Sequence, residues 1–113
     1  MEGRTTMTIN AIGKPLGCKL LRITAGYTEP AMAGSRVDAI KFDSISIHGD
    51  FFAVPEEAFE ELEKELSGST IETIALSFER LAKDKGIQLV GITGKGVEET
   101  LRRAIDGTSM QTS

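Results

Sequence analysis

The sequence is short of the residues from which most self-contained active sites are built. It holds one cysteine, Cys18, one histidine, His48, and no tryptophan. A lone cysteine forms no internal disulfide and agrees with a reducing compartment, so the expected location is the cytoplasm. One histidine and one cysteine do not complete a zinc set, and no metal site is expected. Five phenylalanines and one tyrosine leave the core mainly to aliphatic side chains. No apolar run nears the roughly 20 residues that span a bilayer. The start, Met1 to Thr6, also lacks the apolar stretch of a signal peptide. Positive charge is scarce. A net charge of −4 argues against a general nucleic-acid binder, which needs a basic face.

What is present reads as one domain over residues 1–113 with an ordered core of about 7–106. Met7, Ile9 and Ala11 alternate with polar residues, as in a weak edge strand. A better strand runs from Lys19 to Tyr27, with Leu21, Ile23 and Ala25 on one face. Thr28 to Arg36 reads as a connecting loop, and Val37 to His48 returns as the partner strand. Its parity slips between Phe42 and Ile45, which predicts an irregularity near Asp43-Ser44. Gly49-Asp50 then interrupts the pattern. From Pro55 the period turns helical through Phe59, Leu62 and Leu66, with Pro55 in the first turn and Gly68 closing it. Ser69-Thr70-Ile71-Glu72 has capping-box spacing and predicts the start of a second helix, closed by Gly86. Ile87 to Val90 reads as a short extended piece, and a third helix is expected after Gly96. Strands first and helices later indicate α+β: an antiparallel sheet of two to three strands with helices packed on one face.

Several residues carry possible chemistry. Gly91-Ile92-Thr93-Gly94-Lys95-Gly96 precedes a helix, where free N–H groups can hold an anion, so Gly94, Lys95 and Gly96 are candidate anion contacts. The spacing matches no nucleotide-binding fingerprint, and a helix-entering loop is the simpler reading. Cys18 reads as packed; a reactive thiol needs exposure and a nearby cation. His48 is expected to bond backbone or Asp50. Asp50 either caps its own turn or reaches a basic group on a partner. Phe51 and Phe52 cannot both point inward on a regular strand, so one is expected in the core and the other on a groove or partner. The acids of the first helix (Glu56, Glu57, Glu60, Glu61, Glu63, Glu65) read as a solvated face. Lys19, Arg22 and Lys41 are expected on neighbouring strands of one sheet face, as an electropositive contact surface.

The string Gly49-Asp50-Phe51-Phe52, followed by Pro55-Glu56-Glu57, Leu62-Glu63 and Leu66-x-Gly68, resembles the C-terminal domain of lipoate–protein ligases. It is most similar to the separate small subunit that carries this domain in some archaea. Gly17-Cys18-Lys19-Leu20-Leu21-Arg22-Ile23 is similar to the family's Gly-Gly-Lys-Leu-x-Arg-Val segment, with Cys18 where a second glycine is usual. The likeness spans roughly Lys14 to Ile105. It implies a fold like that of iron–sulfur scaffold and sulfur-acceptor proteins. It also implies an accessory subunit without catalytic residues or a cofactor of its own, in a heterodimer with a larger catalytic subunit. That subunit binds lipoate, ATP and Mg²⁺, forms lipoyl-adenylate, and lipoylates lysines of carrier proteins. Lys19, Arg22, Asp50, Phe51 and Phe52 match motif positions and are the expected partner contacts, with no nucleic-acid or membrane partner. Two alternatives stay open: a sulfur-transfer protein using Cys18, and a small regulatory domain binding a ligand at the Gly91–Gly96 loop.

Overall fold

A computed structural model describes residues 5–29 and 41–111. Three antiparallel strands, β1 (Thr5–Gly13), β2 (Leu21–Glu29) and β3 (Phe42–Gly49), form the main sheet in the order β1-β2-β3. A two-stranded ribbon pairs β4 (Phe52–Val54) with β5 (Gln88–Val90). The helices are α1 (Glu56–Glu65), α2 (Ile74–Asp84) and α3 (Gly94–Gln111). The fold is α+β, as the order of strand and helix patterns implies. The expected loop Thr28 to Arg36 lies largely outside the described residues, as does the first part of the expected strand from Val37. Among the described residues, no helix is long and apolar enough to cross a membrane.

Period-two alternation makes the sheet two-sided. Ile9 and Ala11 of β1, Leu21, Ile23 and Ala25 of β2, and Ile45 and Ile47 of β3 are all buried. Thr8, Asn10, Ile12, Arg22, Thr24 and His48 face solvent. The buried face meets Leu62 and Leu66 from the α1 segment, Ile74 and Phe78 from α2, and Val97 and Leu101 from α3. The parity slip expected near Asp43 is present: Gly26 pairs with Ser44 but Tyr27 pairs with Phe42, leaving Asp43 as the extra residue of a bulge. That bulge lets Phe42 and Ile45 both point inward.

Helix starts differ from the sequence reading. Pro55 stands just outside α1 as its N-cap, with extended backbone (φ −78°, ψ 149°). The capping box at Ser69 does not form, and α2 begins at Ile74. Phe42 N–H donates to Ser69 O at 2.9 Å and Gly68 N–H donates to Phe42 O at 2.7 Å, so this backbone is held by the start of β3. In the other direction, α3 starts at Gly94 rather than after Gly96.

β3 ends at Gly49, whose φ of +148° disfavours a side chain and where an added Cβ would overlap the carbonyl oxygen of Leu20. Gly17 also has positive φ (+80°), but open space surrounds it. Gly49→Ala is therefore expected to cost about 3 kcal/mol or more. Gly17→Ala, which carries only backbone strain, is expected to cost about 1 kcal/mol. Urea unfolding of both variants checks the order; equal losses would show that the contact with Leu20 is unimportant.

Candidate partner-binding groove

The chain leaves β3 at Gly49 and turns before α1. Asp50 N–H donates to Leu20 O at 3.1 Å, so backbone closes this turn. The carboxylate of Asp50 is exposed and makes no hydrogen bond among the described residues, so of the two roles open to it from sequence the turn cap is not formed. The two phenylalanines diverge. Phe51 is half-buried and packs on Phe59 (centroids 5.4 Å apart), which meets Phe78 edge-on at 6.3 Å. Phe52 is 70% exposed, on the same ribbon face as Val54 (53%) and, directly opposite, Val90 (59%). Three large apolar side chains thus share one small exposed face.

Between this ribbon, the end of β3 and α1 lies a groove of about 410 Å³. Ile47, Phe51, Phe52, Val54 and Phe59 supply apolar walls, and Glu56, Glu60 and Glu63 supply carboxylates. Among the described residues neither lysine nor arginine lines it; His48, beside Glu63, is its one basic lining residue. A second hollow of about 320 Å³ continues along β3 past Ser44, Ile45 and Lys64, sharing Glu60 and Glu63.

Glu63 corrects the reading of α1 as a uniformly solvated acidic face. Its Oε2 accepts the outward N–H of Ile47 at 2.7 Å, tying the helix to the edge of the sheet. Burial raises the Glu63 carboxyl above its ordinary 4.5; the Ile47 bond and then His48 oppose the rise, and Glu60 adds to it. The spacing did carry a signal, since Glu63 is four residues after buried Phe59 and borders the apolar stripe. Glu79 was also missed: its Oε2 accepts Gly94 N–H at 2.6 Å and so caps α3 from the neighbouring helix.

The other expected contacts separate. Lys19 is exposed just ahead of β2, and its N–H donates to Gly91 O at 2.8 Å. Arg22 lies on the open sheet face, in register with Ile12 and His48. Lys41 does not join them. It precedes β3 at the far end, bridged to Thr70, and seven residues of strand put it ~23 Å from the His48 level. His48 Nε2 meets Ser46 Oγ at 2.9 Å, so the expected partner Asp50 is replaced by the residue two positions back on the same face. Among the described residues no group of His, Cys, Asp and Glu is arranged to hold a metal. In the loop, Gly94 N–H is taken by Glu79 and Gly96 N–H by Thr93 Oγ1 at 3.0 Å, while Lys95 is exposed. Cys18 is buried, with Sγ 3.6 Å from Thr93 Oγ1.

No protein-family model and no curated protein matches the chain. Among solved structures it is similar to a chain from an archaeal lipoylation system of Thermoplasma acidophilum, a bi-partite lipoate protein ligase and its E2 lipoyl domain. The TM-score is 0.55 at 26% identity, covering 87% of this chain and 96% of that one. The resemblance to lipoate–protein ligases read from the sequence is therefore accompanied by a structural likeness to a chain of a bi-partite ligase system.

The Glu63 contact is testable by substitution. Glu63→Ala leaves the Ile47 N–H without its acceptor and is expected to cost about 1 kcal/mol. Glu63→Gln keeps an acceptor oxygen and removes the charge. Because the folded-state carboxyl is raised above 4.5, the folded chain binds this proton more tightly than the unfolded chain. The contribution of Glu63 to stability thus falls as pH rises through the window above 4.5. Glu63→Gln is expected to remove that slope and to gain on the unsubstituted chain between about pH 4 and pH 7 in urea unfolding. A parallel pH profile for the two would contradict it.

Proposed function

We propose that this chain is the accessory, non-catalytic subunit of a two-part lipoate–protein ligase of the cytoplasm. In this reading a separate catalytic subunit binds lipoate, ATP and Mg²⁺ and forms lipoyl-adenylate. It then lipoylates lysines of carrier proteins, which this chain meets only through the complex. The observation that carries the reading is the similarity to a chain of a bi-partite lipoate protein ligase system over nearly its whole length. The exposed apolar face of Phe52, Val54 and Val90 supports it, because such patches on small domains commonly mark protein contacts.

The physical role is differential binding. A partner accelerates adenylate formation only by binding the competent shape of the catalytic subunit better than its alternatives. A preference of about 1–3 kcal/mol shifts the populations roughly 5–150-fold. Lys19, Arg22, Asp50, Phe51 and Phe52 are the proposed contacts. Phe52 is the strongest of them, since an exposed aromatic with no packing role is free to become an interface anchor. The sulfur-carrier alternative is disfavoured by the burial of Cys18.

Co-purification with the catalytic subunit of a bipartite ligase, followed by ATP-dependent lipoylation with and without this chain, tests the proposal. Full activity is expected only with both. ATP consumption and lipoate activation by this chain alone would overturn it, as would unchanged activity on its addition. Phe52→Ser is expected to weaken the complex about tenfold or more while leaving the melting temperature of the isolated chain unchanged.

A further inference from the structure

The acids of α1 fall into two sets. Glu61 and Glu65 both bond Lys85 Nζ, at 3.5 and 2.5 Å, on the side of the helix that meets α2. Glu56 and Glu60 line the groove and have no ion-pair partner among the described residues. With Glu63 they follow at i, i+4 and i+7, so all three project from one helical face. Glu63 gives one oxygen to Ile47 N–H. Like charges four residues apart repel, and that repulsion is relieved when a cation lies between them. The walls beside these carboxylates are Phe51, Phe52, Val54 and Phe59.

A groove with apolar walls and an acidic margin, whose one basic lining residue among those described is His48, engaged by Ser46, fits a side chain with an aliphatic stem and a cationic head. It also fits the ring face of Phe52 meeting that cation. We propose that this groove seats a lysine or arginine flanked by apolar residues on the partner subunit. In that arrangement the stem lies against Phe52 and Val54, the head reaches Glu56 and Glu60, and the flanking residues cover the Val90 side of the ribbon. The groove thereby selects the register of docking, while Phe52 and its apolar neighbours contribute most of the affinity. The proposal rests on the two-subunit reading for the identity of the partner, but its surface chemistry can be tested without one.

Two arms separate the ideas. In the first, the full chain labelled with ¹⁵N is titrated with a capped Leu-Lys-Leu-Lys-Leu peptide and with its Glu-for-Lys counterpart. The basic peptide is expected to shift amides of Ile47, Phe51, Val54 and Glu60, and to bind about tenfold more weakly to the Glu56→Gln/Glu60→Gln double variant. Glu57→Gln/Glu72→Gln, exposed positions outside the groove, are expected to change nothing. Equal binding of the acidic peptide, shifts scattered over α2 and α3, or an unaffected double variant would each overturn the proposal. In the second arm, the same variants are assayed for association with the catalytic subunit at low and high salt. If the complex forms and lipoylation proceeds but Glu56→Gln/Glu60→Gln binds normally, this inference falls and the functional reading stands. If the basic peptide maps to the groove but no ligase subunit binds, the groove chemistry stands and the functional reading falls.

Discussion

The geometry of this molecule depends on a crowded backbone junction at one end of the main sheet. Asp50 N–H reaches Leu20 O, and Lys19 N–H reaches Gly91 O. The start of β2, the end of β3 and the end of β5 are thereby held together through peptide groups alone. Gly49 is required where β3 leaves, because the Leu20 carbonyl fills the space that a side chain would need. This arrangement ends pairing in the main sheet and forces the chain into a separate ribbon. The ribbon carries Phe52 away from the core.

From that junction inward, an aromatic series gives the projecting ribbon support. Phe51 packs on Phe59, and Phe59 on Phe78, which is fully buried. Tilted and edge-on aromatic pairs of this kind contribute about 0.5–1.5 kcal/mol each beyond simple burial. Packing of this kind suits a surface that must keep its shape before a partner arrives, since ordering it in advance lowers the cost of association. Glu63 supports the same region from the helix side by holding the outer edge of β3. The exposed face formed by Phe52, Val54 and Val90 is therefore displayed by a supported element and not by a free loop.

Much of this was legible from side-chain alternation. The slip between Phe42 and Ile45 located the bulge at Asp43, because a one-residue change of parity has few other causes in a strand buried on one side. The adjacent phenylalanines had to diverge for the same reason. The Gly-Asp-Phe-Phe string and the Lys19–Arg22 segment carried the family resemblance. Cues that rested on local composition fared worse. The capping-box spacing at Ser69 is real, but that backbone is engaged by Phe42, and a hydrogen bond made across the fold excludes the helical start. Lys41 matched a charge pattern yet lies at the wrong end of the sheet, because the bulge and strand length set its level. Six acids on one helix looked equivalent until the docking of α1 on β3 and α2 distinguished them.

The sequence by itself determined the types of the main-sheet strands and of the three helices, the two-sided sheet, the core membership of Leu21, Ile23, Ile45, Leu62, Ile74 and Phe78, and the separation of Phe51 from Phe52, but not the β4–β5 ribbon. Each of these follows from a period of two or 3.6 that any single strand or helix imposes on its own neighbours. Only the tertiary structure decided which carboxylate holds the β3 edge, which one caps α3, which pair lacks a cation, and how the ribbon joins α1 to enclose a groove. Those features depend on distances between segments far apart in the chain, and no local period encodes such distances.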